Sequence, residues 1–171
     1  MTITTNKNAL SQLGVRLKIS RLDNVEYFCQ QANIPGLSLG ITEVPTPFRN
    51  IPFHGDKLNF NELTVTFQVS EDFENFIEIY KWMKALGFPE NFDQHRLLVE
   101  QGNQNAGQGL YSDGSLLILD SGMNVNFELK FKDLFPISLS DIQMDVTGSS
   151  VDYTTCSVSF VYQSYEIVVD N

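Results

Sequence analysis

The sequence is poor in cysteine and histidine, and this shortage argues against several kinds of chemistry. Cys29 and Cys156 are the only cysteines in 171 residues, and so wide a spacing does not form a zinc motif. Each lies among alternating residues, so we predict two buried thiols rather than a disulfide. The two histidines, His54 and His95, have no third group at the spacing of a catalytic triad or metal cluster. We therefore predict no catalytic residues, no metal site and no cofactor, and we expect a protein that is not an enzyme.

Basic residues and long apolar runs are also scarce. Eleven Lys and Arg face twenty-one Asp and Glu, which gives a formal charge of −10. A chain with this balance should repel nucleic acid rather than bind its phosphates. The longest apolar stretches, such as 116–119, fall far short of the roughly 20 residues that a membrane span needs. Residues 1–10 are too polar for a signal peptide, so we expect synthesis in the cytoplasm and no membrane segment.

Size and composition fit one ordinary domain. The chain has 42% hydrophobic residues, enough for a core at this length. We predict a single domain over 1–171, with its core at about 13–168. Residues 101–114 are rich in Gly, Asn and Gln without an apolar period, and this pattern predicts a mobile surface loop.

Alternating apolar and polar residues predict several strands. We expect a strand over 13–19 with a hairpin partner at 25–31 across Asp23 and Asn24. Residues 63–69 form a further strand, and residues 115–120 and 125–131 form a hairpin across Ser121 and Gly122. The last run, 158–167, changes phase near Gln163 or Ser164, which predicts a bend or bulge there.

One segment has helical spacing instead. Apolar residues recur every three or four positions from Phe73 to Met83, which predicts a helix at about 71–86 with Ser70 as its N-cap. Gly87 ends this helix, and Trp82 and Met83 are expected to pack on the sheet. The fold class that follows is α+β and mostly β, an antiparallel sandwich or barrel with one main helix.

A proline-rich arm separates the early strands from the rest. Residues 35–56 contain four prolines and three glycines, so no long central strand is expected through them. Large apolar side chains in such an arm cannot easily reach their own core and favour a partner surface. The predicted subunit or ring interface comprises Phe48, Arg49, Ile51, Phe53 and His54.

The order and spacing of these motifs resemble the tail-tube protein family of contractile phages, whose fold is shared with the inner-tube proteins of type VI secretion. Residues 28–36 (FCQQANIPG) resemble the family's early strand leading to a Pro-Gly turn, and 52–56 (PFHGD) resemble its returning arm. Residues 131–136 (FKDLFP) and 158–162 (VSFVY) resemble its last elements. The resemblance covers about 13–168 and leaves out the Gly-rich loop.

This resemblance implies a structural virion protein. Six copies would join through their sheet edges into a ring, and stacked rings would form the tail inner tube, through which DNA passes without specific binding. Its partners would be further copies of itself and the tail sheath and baseplate proteins. Exposed strand edges are then predicted interface. Glu62 and Glu128, on polar strand faces, are candidate acids facing the lumen.

Other functions stay open on the sequence alone. A tube initiator or baseplate protein, a tail terminator and the inner tube of a contractile secretion system would share the same fold. From a different class, a small enzyme or ligand-binding β-domain would use Tyr and Asp side chains without a recognisable motif. The oligomeric state separates the two classes, because a tube subunit polymerises and a ligand-binding domain stays monomeric.

Overall fold

The computed structural model describes residues 14–22, 29–87, 93, 95–96, 109–120, 122–144 and 153–169. These form the strands β1 (Val15–Ile19), β2 (Cys29–Ala32), β3 (Leu37–Pro45), β4 (Asn50–Phe60) and β5 (Leu63–Gln68), the helix α1 (Glu74–Gly87), and the strands β6 (Ser112–Leu119), β7 (Val125–Leu139), β8 (Thr155–Val161) and β9 (Ser164–Val169).

Most of the strands form two antiparallel sheets that share β7. The first sheet has the order β1, β6, β7, β9, and the second has the order β7, β8, β5, β2. At the far ends of this arrangement β1 and β2 approach each other, with Cα atoms within 8 Å. The mostly β, barrel-like fold with a helix is therefore confirmed.

The strand β7 belongs to both sheets because it bends in the middle. Asp133 has a φ of 53°, and the register with β6 shifts there, which is the geometry of a β-bulge. The segment that pairs with β7 bends at the same level, where Tyr162 and Gln163 separate β8 from β9. There the backbone N–H of Gln163 donates to the carbonyl of Lys132 at 3.0 Å. The predicted change of phase near Gln163 is confirmed.

The hydrophobic core lies between the two sheets and is closed by α1. Along β5, Leu63, Val65 and Phe67 are fully buried while the intervening residues face outward, as period-two alternation predicts. Trp82 of α1 is 2% exposed and its ring lies 6.4 Å from that of Phe160. The predicted packing of Trp82 on the sheet is confirmed.

The helix starts later than the sequence pattern predicts, at Glu74. Phe73 has a φ of 57°, which a helix cannot contain. Ser70 does not act as the N-cap: its backbone N–H and its hydroxyl both lie 3.3 Å from the side-chain oxygen of the buried Asn75. Asn75 thus accepts the hydrogen bonds of the polar groups that precede the helix. This role was not predicted from the sequence because Ser is a preferred N-cap residue.

β1 pairs with β6, and β2 pairs with β5. The predicted hairpin between 13–19 and 25–31 stays a prediction, because residues 23–28 lie outside the described residues; the described ends of the two strands do lie near each other, with Cα atoms within 8 Å. The strand β6 also begins at Ser112, so the predicted loop 101–114 ends earlier; residues 101–108 lie outside the described residues.

Candidate assembly surfaces

The hairpin of β3 and β4 stands apart from the two sheets. Its strands pair only with each other among the described elements, and almost every residue in both is exposed. Large apolar side chains lie on this exposed hairpin: Leu37, Leu39, Ile41, Val44, Phe48, Ile51, Phe53 and Leu58. We call residues 37–60 the projecting hairpin. So much exposed apolar surface in one element is typical of an interaction site.

All five residues of the predicted interface lie on this hairpin. Phe48 is 97% exposed in the turn between the strands, beside Arg49, whose carbonyl accepts the hydroxyl of Thr46. Ile51 and Phe53 share one face, while His54 lies on the other face, paired with Ile41. The structure therefore brings the predicted residues together at one end but divides them between two faces and a tip.

Two tyrosines fasten the base of the projecting hairpin to the sheets. The hydroxyl of Tyr162 donates to the carbonyl of Asn61 at 2.7 Å, and that of Tyr165 donates to the carbonyl of Pro35 at 3.0 Å. The ring of Phe60 packs against both, with centroid distances of 5.9 Å to Tyr162 and 5.6 Å to Tyr165. Burial, and then the nearby Tyr165 hydroxyl, raise the pKa of Tyr162 to about 12. The Tyr162 hydroxyl therefore stays a protonated donor at neutral pH, and the two hydrogen bonds make the hairpin leave the sheets at a defined place.

Sequence reasoning missed this anchor. Tyr162 and Tyr165 lie on either side of the predicted bend. Their different positions in the apolar–polar alternation predict only the bend and not a contact between the two rings. The bend turns both rings toward the same side, where they meet each other at 6.0 Å. Two tyrosines flanking a phase change are the signal that could have found them.

Strand edges offer a second kind of assembly surface. Among the described residues β9 pairs only with β7, and β2 pairs only with β5. In the second half of β7, residues Phe135–Leu139 pair only with β8 within the part of the chain that the structure describes. Such edges carry unpaired backbone groups and accept a strand from another chain. The contact between β1 and β2 covers part of one of these edges.

The two candidate lumen acids lie in different places. Glu62 is exposed in the short link between β4 and β5, and its carbonyl accepts the side-chain amide of Asn33 at 3.1 Å. Glu128 lies on β7 in the first sheet, where its carboxylate is 3.5 Å from the ammonium group of Lys130. The structure does not bring the two acids together.

An open groove lies between α1 and the end of β7. It is lined mainly by apolar side chains, among them Phe76, Tyr80, Met83 and Leu139, with Lys84 and Asp141 as charged residues. The helical spacing from Phe73 to Met83 did not reveal this groove, because the groove depends on where β7 ends.

Chemical sites are sparse in the described part of the chain. There, no cluster of three or more His, Cys, Asp or Glu residues could hold a metal ion. Cys156 is buried, Cys29 is half-buried, and both are free thiols as predicted. They flank Phe67 on neighbouring strands, which separates their Cα atoms by roughly 10 Å, too far for a disulfide. In the described residues no helix has the length and apolar character to cross a bilayer.

Solved structures share this fold over nearly the whole chain. The tube-sheath complex of an extracellular contractile injection system (PVC) contains a chain with a TM-score of 0.66 and 9% identity, covering 99% of this chain and 100% of that one. The terminating cap of the anti-feeding prophage tube gives 0.65 at 11% identity, covering 99% and 97%. The Hcp1 protein of Flavobacterium johnsoniae gives 0.50 at 12% identity, covering 91% and 95%. At these identities the likeness is one of fold.

The sequence itself also has a family match. No curated protein matches it, but the family model described as phage tail tube protein matches residues 1–168. The match spans both sheets, the helix and the projecting hairpin, which are the elements that the sequence motifs indicated. The chain belongs to the phage tail tube protein family.

Proposed function

We propose that this protein is the repeating subunit of a contractile phage tail tube, in which six copies form a ring and the rings stack around a channel for DNA. Membership of the tail tube family supports a structural role in the tail. The observation that carries the assembly proposal is the projecting hairpin, a long exposed element with apolar residues on its tip and on both faces. A solitary protein gains nothing from such a surface, and a polymer buries it.

The energy available from this surface is large. Full burial of one Phe or Leu side chain stabilises by about 1.5 to 3 kcal/mol, and the hairpin offers Phe48 at 97% and Phe53 at 54% exposure. Part of the gain offsets the entropy lost on association. Burial of only a few such side chains per contact, repeated around and along a tube, is enough for stable polymerisation.

The geometry favours contacts between unlike surfaces. A hairpin that projects from one side of the subunit must meet a different surface on its neighbour, and such head-to-tail contacts generate rings or filaments. We assign Phe48, Arg49, Ile51, Phe53 and His54 to the contact with the adjacent ring or neighbouring subunit. The edges of β2 and of Phe135–Leu139 supply hydrogen-bonding partners within the ring.

A channel whose wall carries no positive charge would let DNA pass without adhering. Six copies carry a formal charge of 6 × (−10), or about −60. Only carboxylates within about 8 Å of the channel act on the DNA at physiological salt. Of the two candidates, Glu62 and Glu128, we propose Glu62 for this role, because Glu128 lies on the first sheet beside Lys130, which neutralises it locally.

The surroundings of the tube follow from the same role. We propose that the tube contacts sheath and baseplate proteins, resides in the tail of the virion after synthesis in the host cytoplasm, and performs no catalysis. Tube, cap and baseplate proteins of other injection systems share this fold, so an initiator or terminator role is the alternative. A terminator forms single rings, whereas a tube subunit forms long polymers.

The test is a double substitution, Phe48→Ala with Phe53→Ala. Negative-stain electron microscopy and sedimentation should show long tubes for the unmodified protein and only small species for the variant. Circular dichroism should show an unchanged fold, because neither residue contributes to the core. Met144→Ala removes an exposed apolar side chain elsewhere (69% exposed) and should leave assembly intact. Normal tubes from the double variant would refute the role of the hairpin, and a strictly monomeric unmodified protein would refute the tube.

A further inference from the structure

Charge is divided unequally between the two sheets. The first sheet, with residues 125–134 as its part of β7, carries eight charged residues, namely Arg16, Lys18, Asp113, Glu128, Lys130, Lys132, Asp133 and Glu166. The second sheet consists of β2, β5, β8 and Phe135–Leu139, and its strands contain no Asp, Glu, Lys, Arg or His. In a chain with a formal charge of −10, an uncharged sheet is a distinctive surface.

The outward face of the second sheet is polar nevertheless. It presents hydroxyl and amide side chains, Gln30, Thr64, Thr66, Gln68, Ser157 and Ser159, which we call the neutral face. Its members bond to one another across the strands: the Thr66 and Ser157 hydroxyls lie 2.9 Å apart, and the Gln30 amide nitrogen lies 3.4 Å from the Gln68 amide oxygen. The apolar residues on this side are Val161 and Phe135 at one end of the sheet and Ile137, 42% exposed, on the marginal strand.

Such a face is poorly suited to bind another protein and well suited to stay in contact with water. Protein interfaces depend on large aromatic or Arg anchors that fill pockets, and the neutral face offers short side chains whose polar groups already have partners. A half-buried antiparallel sheet with a polar outer face is stable against water. The neutral face is therefore suited to stay solvated when subunits assemble.

We infer that the neutral face lines the bore of the assembled tube and lets a macromolecule of either charge slide past. The inference rests on the proposed tube function and specifies its channel. A fixed charge attracts an opposite charge within about 8 Å at physiological salt, so a charged wall retains one class of cargo. A wall of hydroxyls and amides retains neither DNA phosphates nor charged protein segments.

The margins of the sheet fit a continuous lining. β2 lies at one margin and Phe135–Leu139 at the other. Within the described residues each pairs with a strand on one side only, and β1 approaches part of the β2 margin. Subunits joined through these margins would extend the same uncharged sheet around the ring. Glu62 precedes Thr64 in the same outward phase and would lie at the rim of the bore. Glu128, in the first sheet, would lie elsewhere.

Thiol labelling of intact tubes tests the placement. Thr66→Cys and Ser159→Cys are near-isosteric changes on the neutral face, and Lys130→Cys is the matched control on the first sheet. Each variant is tested in two states, as free subunit and as assembled tube. In each state it is labelled with a small maleimide and, separately, with a polyethylene-glycol maleimide too large to enter the bore. The unmodified chain gives the background from its own two cysteines.

The inference predicts a distinct pattern. On assembly, the rate at which the large reagent labels Thr66→Cys and Ser159→Cys should fall by about tenfold or more, because access limits thiol reactivity. The rate for the small reagent should not change. Lys130→Cys should not show this pattern. Labelling of the neutral face by both reagents would place it outside, and labelling by neither would place it in an interface; each overturns the inference while leaving the tube intact. Absence of tubes would overturn the proposed function as well.

A nuclease experiment tests the neutral character. Unmodified tubes incubated with short single-stranded DNA should protect none of it from nuclease, whereas Ser157→Lys tubes should protect several-fold more. Ser115→Lys, on the first sheet, is the control and should behave like the unmodified protein. Protection by unmodified tubes, or none by Ser157→Lys tubes, contradicts the neutral lining.

Discussion

The backbone of Gly55 crosses that of Gly40 so closely that a β-carbon on Gly55 would lie 2.8 Å from the Gly40 carbonyl oxygen. The pairing of β3 with β4 shifts register at this point, and the extra residues of β4 bend the projecting hairpin. Only a residue without a side chain allows this approach. The direction in which the hairpin presents Phe48 therefore depends on one glycine.

Replacement of that glycine should uncouple assembly from folding. Gly55→Ala forces the two strands apart, so we expect the variant to lose tube formation. The free energy of unfolding should change by only about 0.5 kcal/mol, since the hairpin lies outside the core. Gly40→Ala is the control, because its β-carbon would meet its nearest neighbour at an ordinary 3.7 Å. Electron microscopy and denaturant unfolding measure the two effects, and equal assembly by both variants would contradict the prediction.

The start of α1 depends on a buried polar side chain, Asn75. Its amide nitrogen donates to the carbonyl of Gln68 at 2.8 Å, and its oxygen accepts the backbone N–H of Phe76 at 2.9 Å and the Ser70 groups. Asn75→Ala leaves these groups unsatisfied and should lower the free energy of unfolding by about 2 to 3 kcal/mol.

A matched control exists for this substitution. Asn50→Ala removes an exposed Asn that bonds to the Glu43 carboxylate in the projecting hairpin, and should cost no more than about 0.5 kcal/mol. Urea titration of the dissociated subunits compares the two. A loss for Asn75→Ala as small as that for Asn50→Ala would show that the network contributes little.

Alkaline pH should loosen the anchored base of the projecting hairpin. The folded pKa of Tyr162 is raised to about 12 from an ordinary 10.0, so the neutral form is favoured in the folded state. Its contribution to stability is fully present below pH 10 and is lost as the pH rises from about 10 to 12. Ionisation removes the hydrogen bond to Asn61 and sets a phenolate against its carbonyl oxygen.

Tyr162→Phe should abolish this part of the alkaline loss. The variant loses one hydrogen bond, which lowers its stability at neutral pH by about 1 kcal/mol, but its unfolding midpoint should fall less between pH 10 and 12. Tyr153→Phe, at a position 74% exposed, should keep the alkaline dependence of the unmodified protein. Thermal unfolding across this range gives the readout, and parallel curves for Tyr162→Phe and the unmodified protein would contradict the assignment.

Local patterns predicted the strands better than their partners. The alternation in β5 and in the β6 and β7 hairpin is a property of neighbouring residues, and both elements are present in the structure. The partner of β1 is not local: β6 lies about a hundred residues away in the sequence and was missed. Loop closure over such a distance costs little more than over a short one, so sequence proximity decides less than buried area.

Only part of the candidate site was predicted from the sequence. Phe48 and Phe53 stood out because large apolar side chains lie in a proline-rich segment without a core. The tyrosine anchor and the neutral face did not stand out, since each combines residues from strands far apart in the chain. Thr66 and Ser157, for example, are ordinary strand residues until β5 and β8 place their hydroxyls 2.9 Å apart.

By itself the sequence determined the strand-rich composition, the helix after β5, the bend at Gln163 and the apolar side chains of the proline-rich arm, because each depends on neighbouring residues; that the arm is a hairpin came from the structure. Only the tertiary structure decided that β7 serves two sheets, that Tyr162 and Tyr165 hold the hairpin, and that one sheet carries no charge. Those relationships depend on which distant strands pair, and pairing is settled by the burial of the whole core.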